Sequence, residues 1–441
     1  MERPSINRIL ARFICGFSFN QIPSEVIRRA KNLILLSLGT AIAGRDLPYS
    51  MIAVKLVDGS RGNATIFTYR HQVAAKDAAF ANAVLACGIA QDDMLFTFHP
   101  GTVNVPTAIA VAEQEASSGA ELITALVIGY DVMGRIFLGG PNIRQGFRTG
   151  SVFGPFGAAA AAGKLLKLNE DQLTNALNIV ANFASGLGQW GVDGTKERDF
   201  FDGLAARNGI IAATLGKEGV VAAEKSLEGG KGFYQAFVGT SNGAEFAVQD
   251  LGKRFLIMEA RYKPYPVCGV LQMPIALVLR LMAQYHLNPK DVNEVIVSIP
   301  YADATFPGTD YLGPFESMTQ AILSAQFCVG AAFLGKPVTS YRFYFDHYDD
   351  QEVFELAKRV RVLGEKDRVI PKIEAVLHDG SQYSIEQDMG EELIPEDEQI
   401  KAKFNELVSG IIGRENAAEI IKTVSNLDKI GNVRELTQKL S

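Results

Sequence analysis

Apolar residues recur at helical spacing through the first half of the chain. The pattern is clearest over residues 23–44, 104–119 and 157–166, where alanine and glycine are mixed with larger aliphatic residues. Proline near the start of such a run and glycine at its end are typical helix boundaries. Asn169, followed three residues later by Gln172, has the spacing of a capping box that begins a further helix. The pattern predicts a buried helical core in which small residues let the helix axes approach closely.

The pattern changes after Asp250, where alternating apolar and polar residues predict short strands. Residues 294–299 and 373–377 alternate in this way. An Asp379-Gly380 turn follows the second of them and leads into another short alternating run. Part of the second half of the chain is therefore expected to contain short strands.

Two stretches between these strands, residues 320–333 and 353–360, have helical spacing, and the chain from Glu396 onward is helical again. The simplest arrangement inserts a small domain into a helical domain built from both ends of the chain. The predicted fold class is mainly α, with a large all-helical domain and an inserted, smaller α+β domain. The predicted boundaries are 1–250 for the first part of the helical domain, 251–395 for the α+β domain and 396–441 for the returning part.

The composition of the 441 residues is that of an ordinary globular protein, with 47% apolar and 21% charged residues. The formal net charge is −6, so no excess cationic surface is available for a nucleic acid. No apolar run approaches the roughly 18 residues of a membrane span, and the start of the chain lacks the pattern of a secretory signal. We therefore expect a cytoplasmic protein with no nucleic-acid and no membrane partner.

The cysteines and histidines are scattered along the chain. The four cysteines show no CxxC spacing, and the five histidines form no close pair of the kind that binds zinc. The sequence also lacks a dinucleotide-binding fingerprint and a phosphate-binding loop. These observations predict a protein with no metal and no cofactor.

Residues 91–101 combine two adjacent carboxylates and a histidine within a short stretch. Asp92 and Asp93 precede His99, and Pro100-Gly101 then breaks the chain into a turn. One interpretation is structural, because aspartates commonly cap a following helix. The other is chemical, because an aspartate and a histidine on one loop form a general acid/base set. The sequence leaves both interpretations open.

Two further segments place basic residues beside glycine. Residues 144–151 include Arg148 just before the alanine-rich helix, where a guanidinium and a helix N-terminus would together bind an anion. Residues 194–209 include Lys196 and Arg198 ahead of a helix face made of small residues. The second segment is equally typical of a solvated loop.

Residues 263–269 carry polar groups between two prolines. Lys263 and Tyr265 lie in this stretch, which is also typical of a rigid hinge between domains. Cys268 follows them without a visible base partner, and a thiol needs such a partner to act as a nucleophile. We therefore interpret Cys268 as a packing thiol.

These segments, together with several others in the same order, resemble the MmgE/PrpD family over nearly the whole chain. The resemblance implies a large helical domain and a smaller α+β domain, with the active site in a cleft between them. It also implies a homodimer formed through the helical domain. Such an enzyme needs no cofactor and moves a proton beside a carboxylate of a small substrate. The matching stretches are 38–44, 78–83, 99–101, 129–132, 150–168, 194–195, 205–209, 263–268 and 401–407.

The chain departs from the pattern of that family where the family carries proton-transfer residues. Cys87 stands where the family has a histidine, and Arg148 stands where it has a second one. Arg198 occurs in place of a lysine, and Leu271-Gln272 replaces a Thr-His pair. An arginine is not a base at ordinary pH, but its guanidinium binds a carboxylate through two parallel hydrogen bonds.

The resulting hypothesis is a lyase or isomerase of the dehydratase, decarboxylase or epimerase type. His99 is the predicted acid or base, because it is the histidine on a matching motif and titrates near neutrality. Asp93 is expected to tune His99, while Lys196 assists and Tyr265 donates through its hydroxyl. The predicted substrate-binding residues are Arg148, Arg198, Asp92, Gln272 and Lys263.

Two alternative functions stay open. The first is an inactive homologue that binds a carboxylate. The second is altered chemistry, such as a cyclisation or condensation, on a larger apolar substrate. Aromatic residues at or beside positions that are often polar in the family favour the second alternative. These residues are Phe147, Phe200 and Phe201, and Trp190 lies nearby in the sequence.

Overall fold

A computed structural model describes residues 4–440, and the chain forms two compact units. The helical unit contains the chain up to Gly188, the segment Glu197–Arg261 and the chain from Pro395 onward. The mixed unit contains Gln189–Lys196 and Tyr262–Ile394. The main boundary therefore lies at 261/262 and not at 250/251. The sequence pattern gives no indication that residues 189–196 join the mixed unit.

Most of the described chain is helical, and the fold is mainly α. Within residues 4–440, no helix has both the length and the apolar character needed to cross a membrane. In chain order the helices are α1 Ile6–Gly16, α2 Ser24–Gly44, α3 Pro48–Val57, α4 Ala75–Cys87, α5 Pro100–Gln114, α6 Gly119–Leu138, α7 Thr149–Leu165, α8 Glu170–Val180, α9 Gln189–Asp193, α10 Arg198–Lys217, α11 Phe233–Phe237, α12 Gln272–Tyr285, α13 Tyr301–Ala304, α14 Met318–Leu323, α15 Ala325–Phe333, α16 Tyr341–Asp346, α17 Gln351–Ala357, α18 Asp397–Ile412, α19 Arg414–Ser425 and α20 Arg434–Thr437. The strands are β1 Ala64–Thr65, β2 Gln72–Val73, β3 Asp93–Met94, β4 Arg261–Tyr262, β5 Val292–Pro300, β6 Val360–Glu365, β7 Lys372–Leu377 and β8 Gln382–Glu386.

Small residues let α7 and α10 pack closely in the centre of the helical unit. A Cβ added at Gly209 of α10 would lie 2.3 Å from the Cβ of Ala158 in α7, so no side chain fits there. The five alanines of residues 158–162 are all fully buried. The expectation that small residues serve close helix packing is confirmed, because protein interiors leave little room between facing backbones.

The C-terminal part of the chain returns to the helical unit and packs on α2. The side-chain amide of Asn32 donates to the carbonyl of Pro395 at 3.1 Å and to the carboxylate of Asp397 at 2.8 Å. Phe404 of α18 lies against Gly39, where an added Cβ would be 3.0 Å from the ring. The helical region expected from residue 396 onward is present as α18, α19 and α20.

The mixed unit contains a four-stranded sheet in the order β6-β5-β7-β8. β5 pairs parallel with β6 and antiparallel with β7, and β7 pairs antiparallel with β8. The strands predicted at 294–299 and 373–377 lie within β5 and β7, and the Asp379-Gly380 turn joins β7 to β8. The period-two pattern identifies β5 because alternate residues from Val295 to Ile299 are buried.

The helix predicted over residues 353–360 is wrong at its end. α17 ends at Ala357, and Val360 begins β6, where it pairs with Val295 of β5. The sheet partner decides this conformation, because β-branched Val360 and Val362 suit a strand that has a neighbour to pair with. The sequence alone does not reveal that neighbour.

The helix predicted over residues 320–333 is interrupted near its middle. The hydroxyl of Ser324 accepts a hydrogen bond from the backbone N–H of Phe327 at 3.1 Å, so Ser324 caps α15 after α14 has ended at Leu323. A serine inside a helical pattern often competes with the helix in this way, because its hydroxyl bonds nearby backbone groups.

Candidate active site

His99 lies at the end of the loop that joins α4 to α5 in the helical unit. The loop reverses direction at Phe96, whose φ of +53° lets Leu95 and Phe98 pair across the turn. His99 stands directly before α5, and Pro100 occupies the first helical position. The sequence motif therefore places the imidazole at a helix N-terminus on a tightly turned loop.

The imidazole of His99 is held at its Nδ1 atom by two acceptors. Nδ1 lies 2.8 Å from the backbone carbonyl of Asp93 and 3.4 Å from Oδ2 of Asp92. A carbonyl and a carboxylate can only accept, so Nδ1 carries the proton of the neutral ring and Nε2 is the nitrogen that exchanges a second proton. The His99 side chain is 21% exposed, whereas that of Asp92 is 3% exposed. The ring is therefore accessible, while its carboxylate partner is buried.

The two aspartates divide the structural and chemical roles that the sequence leaves open. Asp92 presents its carboxylate to the ring, although the sequence assigns that contact to Asp93. The carboxyl of Asp93 accepts from the backbone N–H of Gly101 at 2.9 Å and from the Tyr130 hydroxyl at 2.8 Å. Asp92 directly precedes β3 and Asp93 is its first residue, and successive side chains of an extended chain point to opposite sides. Asp93 thus caps α5, while its backbone carbonyl orients His99.

Burial changes the ionisation of Asp93. It raises the pKa of the carboxyl to about 7, although the hydrogen bonds from Tyr130 and Gly101 act in the opposite direction. The neighbouring carboxylate of Asp92 adds to the increase. The carboxyl next to the His99 loop is therefore only partly ionised near neutral pH.

Arg148 lies directly before α7 and forms a buried ion pair with Asp202 of α10. Its Nη1 and Nη2 atoms donate to the two carboxylate oxygens, and the Nη2–Oδ2 distance is 3.1 Å. Nη1 also donates to the hydroxyl of Ser151 at 3.1 Å. The two charged side chains are 8% and 1% exposed. Burial alone would raise the pKa of Asp202, but the charge and hydrogen bonds of Arg148 outweigh it and lower the pKa.

A second buried ion pair joins Arg198 and Asp199 at the start of α10. Nε of Arg198 lies 3.4 Å from Oδ1 of Asp199, and Sγ of Cys87 lies 3.5 Å from the same oxygen. Burial would lower the pKa of Arg198, but nearby negative charges, Asp199 first, outweigh it and raise the pKa. Burial also raises the pKa of the Cys87 thiol well above its ordinary value, which keeps that thiol protonated.

Thr102 connects the His99 loop with the ion pair of Arg148 and Asp202. Its hydroxyl oxygen lies 2.8 Å from the backbone carbonyl of His99 and 3.1 Å from Oδ2 of Asp202. The hydroxyl of Thr149, at the start of α7, donates to the carbonyl of Thr97 at 2.8 Å. Through these contacts the helical unit brings together Asp92, Asp93, His99 and Arg148. Arg198 belongs to the same group of charges, since the carboxylate of Asp92 is among those that raise its pKa.

Sequence reasoning missed the partners of these residues. Arg198 and Asp202 are four positions apart in a helical segment, so the sequence indicates that they lie on the same face of the helix. Thr102 follows His99 in the first turn of α5, and the local sequence gives no indication that its hydroxyl contacts Asp202. Tyr130 bonds Asp93 from a distance of 37 residues along the chain, and only tertiary structure reveals that contact.

The remaining predicted site residues lie in the mixed unit. Gln272 is fully buried, and its Oε1 accepts a hydrogen bond from the backbone N–H of Tyr265 at 3.2 Å. Its Nε2 donates to the carbonyl of Tyr265 at 2.9 Å and to that of Val267 at 3.1 Å. The sequence predicts that the Gln272 amide binds the substrate, but in the structure this amide stabilises the neighbouring turn through hydrogen bonds to its backbone. Lys263 is buried and Lys196 is half-buried. Burial raises the pKa of Tyr265 to about 12, so its hydroxyl stays protonated.

Two other features bear on ligand binding. Among residues 4–440, no group of three or more His, Cys, Asp or Glu side chains is arranged to hold a metal ion. A cavity of about 400 Å³ lies elsewhere in the helical unit, lined by residues of α1, α6 and α7 such as Ile14, Thr124 and Leu165. The predicted site residues do not line this cavity. That the protein works without a cofactor stays a prediction.

Comparison with known proteins gives matches along nearly the whole chain. Residues 8–245 match the MmgE/PrpD N-terminal domain, and residues 265–429 match the MmgE/PrpD C-terminal domain. The cis-aconitate decarboxylase of Aspergillus terreus is 25% identical over 97% of this chain and 95% of its own length. The cis-aconitate decarboxylase of Mus musculus is 24% identical over 100% of this chain and 94% of its own, and that of Homo sapiens is 25% identical over 100% and 95%.

Proposed function

Because the chain belongs to the MmgE/PrpD family, we propose that it is a lyase that moves a proton at the carbon beside a carboxylate of a small substrate. Of the reactions open to such an enzyme, the arrangement around His99 supports decarboxylation best. The observation that carries the proposal is the partly exposed imidazole, held at Nδ1 beside the buried carboxylate of Asp92. The names of the relatives, cis-aconitate decarboxylases, agree with this reaction type.

In this proposal His99 acts as a general acid. The buried Asp92 carboxylate stabilises the protonated imidazolium, because an opposite charge at short distance favours the charged form. The carbonyl of Asp93 fixes the ring orientation, so the proton at Nε2 has a defined direction. Asp92 and Asp93 are then positioning residues, and His99 is the group that touches the substrate.

Decarboxylation needs one acid at the reacting carbon. The bond between that carbon and the carboxylate breaks, CO2 leaves, and the electron pair stays on the carbon. The imidazolium of His99 then donates its proton to this carbon and is reprotonated from water. Dehydration would need a base at the carbon and also an acid for the departing hydroxyl. His99 is the one imidazole among the predicted site residues, and this fits the reaction with one proton transfer better.

The two buried ion pairs also favour decarboxylation. A guanidinium that clamped the departing carboxylate would stabilise the ground state more than the transition state, in which the negative charge has moved to the carbon. Arg148 and Arg198 instead face Asp202 and Asp199. For either arginine to clamp a substrate, as the sequence hypothesis has it, the guanidinium must share or leave its aspartate partner.

The mixed unit supplies the other proposed roles. Lys263 and Lys196 are proposed to bind a substrate carboxylate through their ammonium groups. Tyr265 is proposed as a hydroxyl donor, since its raised pKa keeps the proton on the oxygen. Gln272 is proposed to act by holding the turn that carries Tyr265, given its hydrogen bonds to that turn.

The experiment is turnover of a panel of carboxylic acids in deuterated water, read by mass spectrometry. Decarboxylation gives a product that has lost CO2 and gained one deuteron at carbon. Dehydration would appear as loss of water, and epimerisation as deuterium exchange at constant composition. Loss of CO2 with uptake of one deuteron is the expected result. Dehydration or epimerisation would contradict the decarboxylase assignment, and a protein that binds panel members without converting any would contradict the lyase assignment.

A further inference from the structure

The cavity of about 400 Å³ lined by residues of α1, α6 and α7 has an apolar wall. Five of its lining side chains are apolar and buried, namely those of Ile14, Phe17, Leu165, Leu168 and Leu173. An apolar cavity of about 150 Å³ is large enough to bind benzene, so this one has room for a longer chain. None of the predicted site residues lines it. A molecule bound there would therefore lie apart from the proposed site of reaction.

Lys164 of α7 brings an ammonium group to this cavity. Its Nζ donates to the backbone carbonyls of Ile14 at 2.8 Å and Phe17 at 2.6 Å. A third carbonyl, that of Cys15, lies 3.4 Å from Nζ, which is longer than an ordinary N–H···O hydrogen bond. An ammonium has three protons to donate. The third proton of Lys164 is therefore weakly held and can turn to an anion in the cavity.

Among residues 4–440, no carboxylate counteracts the effect of burial on Lys164. Burial lowers the pKa of its ammonium, and only the Cys15 thiol acts in the opposite direction. The charge of Glu170 reaches the Cys15 thiol, but Oε1 of Glu170 lies 3.0 Å from Nη2 of Arg12 and pairs with that guanidinium. An anion beside Lys164 would stabilise the charged form of the ammonium, because opposite charges at short distance favour ionisation.

The other charged residues that line the cavity neutralise each other. Nζ of Lys167 lies 3.3 Å from Oε1 of Glu121. Burial alone would raise the pKa of Glu121, but the hydrogen bonds from Ser118 and the charge of Lys167 outweigh it and lower the pKa. Burial raises the pKa of the Cys15 thiol, so this group is uncharged. The lining therefore carries one surplus positive charge, that of Lys164.

We infer that this cavity binds a monocarboxylate with an aliphatic chain, such as a medium-chain fatty acid. The carboxylate pairs with the Lys164 ammonium, and the chain lies against the apolar wall, where its removal from water stabilises the complex. A single carboxylate matches the single surplus charge, whereas a second one would meet Glu121 without a countercharge of its own. The inference goes beyond the proposed function and does not depend on a reaction at His99.

The first test is isothermal titration of the wild-type protein with octanoate, butyrate and 1-octanol. Butyrate keeps the carboxylate but shortens the chain, and 1-octanol keeps the chain but removes the charge. We expect one octanoate to bind per protein chain, at least about tenfold more tightly than either of the other two. Affinity for butyrate or 1-octanol equal to that for octanoate, or no binding of octanoate, would overturn the inference.

Alkylation of Cys15 tests where octanoate binds. Cys15 is exposed and lines the cavity, whereas Cys268 is half-buried and belongs to the mixed unit. At ten times its Kd, octanoate should slow the reaction of Cys15 with iodoacetamide by about tenfold and leave that of Cys268 unchanged. Peptide mass spectrometry measures both rates. Binding of octanoate without protection of Cys15 would place the ligand elsewhere, for example beside His99, and would overturn the inference.

A charge variant tests the role of the ammonium. Lys164→Met keeps an unbranched side chain without the charge and should weaken octanoate binding by about tenfold or more, while the affinity for 1-octanol stays the same. Lys217→Met is the matched control, because Lys217 is an exposed lysine that occupies the last turn of α10 as Lys164 occupies that of α7. An unchanged affinity of Lys164→Met for octanoate would contradict the proposed ion pair.

A second variant removes the room in the cavity. Thr124 is buried in the lining, and Thr124→Phe should abolish the protection of Cys15 by octanoate. Thr423→Phe is its control, because Thr423 is exposed on α19 and its hydroxyl donates to the carbonyl four residues earlier, as that of Thr124 does. Circular dichroism establishes that the variants are folded, and protection of Cys15 in a folded Thr124→Phe protein would contradict the inference. If either variant fails to fold, the two wild-type experiments still decide it.

Discussion

Each of the two units contains a segment in which proline or glycine accompanies polar side chains, and the two segments use those side chains differently. In the helical unit, charged groups from distant parts of the chain meet, as when Arg148 pairs with Asp202, 54 residues away. In the mixed unit, Gln272 bonds the backbone of its own neighbourhood, at most seven residues away. The long-range pairs create a local electrostatic environment around an accessible imidazole. The short-range bonds create a stiff turn.

The largest expected effect comes from breaking a long-range pair. Arg148→Ala removes the countercharge of Asp202 and leaves a buried carboxylate without its partner. Such a loss typically costs about 3–5 kcal/mol in the free energy of unfolding. Urea denaturation of the purified variant measures it.

Arg144→Ala is the control for that experiment, because Arg144 is an exposed arginine whose guanidinium donates to the backbone carbonyl of Gln235. Its unfolding free energy should change by no more than about 0.5 kcal/mol. Equal stability losses in the two arginine variants would show that the buried pair has no special importance for the helical unit.

The buried carboxyl of Asp93 predicts a pH-dependent stability. Its pKa in the folded protein is about 7, against an ordinary value of 3.8, so between these values the folded state keeps a proton that the unfolded state has lost. This group therefore lowers the unfolding free energy by about 1.4 kcal/mol for each pH unit between roughly pH 4 and pH 7, and its contribution is flat above that range. Asp93→Asn should remove this part of the slope.

Denaturation at several pH values across that range measures the effect. Asp349→Asn, at an exposed position of the mixed unit, should keep the slope of the wild type. The Asp93 account fails if wild type and Asp93→Asn lose stability in parallel as the pH rises.

The smallest of the stability effects belongs to the mixed unit. Gln272→Ala leaves buried backbone groups of the turn without partners, which costs about 1–3 kcal/mol. Gln351→Ala, at an exposed glutamine, serves as its control. If Gln272 were instead a substrate contact, its variant would lose affinity for the substrate while unfolding at the same urea concentration as the wild type.

Local patterns predicted those parts of the fold that local forces decide. The period-two alternation of residues 294–299 identified β5, and the Asn169–Gln172 spacing identified the capping box of α8. Val360 was assigned to a helix because its strand conformation depends on β5, which pairs with it from a distant part of the sequence. A single sequence does not contain that pairing in any local form.

The sequence grouped His99, Arg148 and Arg198 into one candidate site, but it did not predict their contacts. That these residues act on a substrate stays a prediction. Which aspartate faces the ring depends on the side-chain directions of Asp92 and Asp93 where β3 begins, and the partners of the arginines depend on how α7 and α10 pack. Both are tertiary properties, so the sequence treated Arg148 and Arg198 as available guanidinium groups.

The central claim is that His99 carries the proton transfer, and turnover of His99→Ala tests it most directly. Its rate on the substrate found in the panel should fall by about 10²–10⁴-fold, because the general acid is lost. Cys268→Ala is the control and should retain nearly the wild-type rate, since Cys268 has no assigned role in the reaction. Circular dichroism establishes that both variants are folded. A folded His99→Ala protein with a near-wild-type rate would contradict the account and would transfer the proton-transfer role to Lys196, Tyr265 or Asp93.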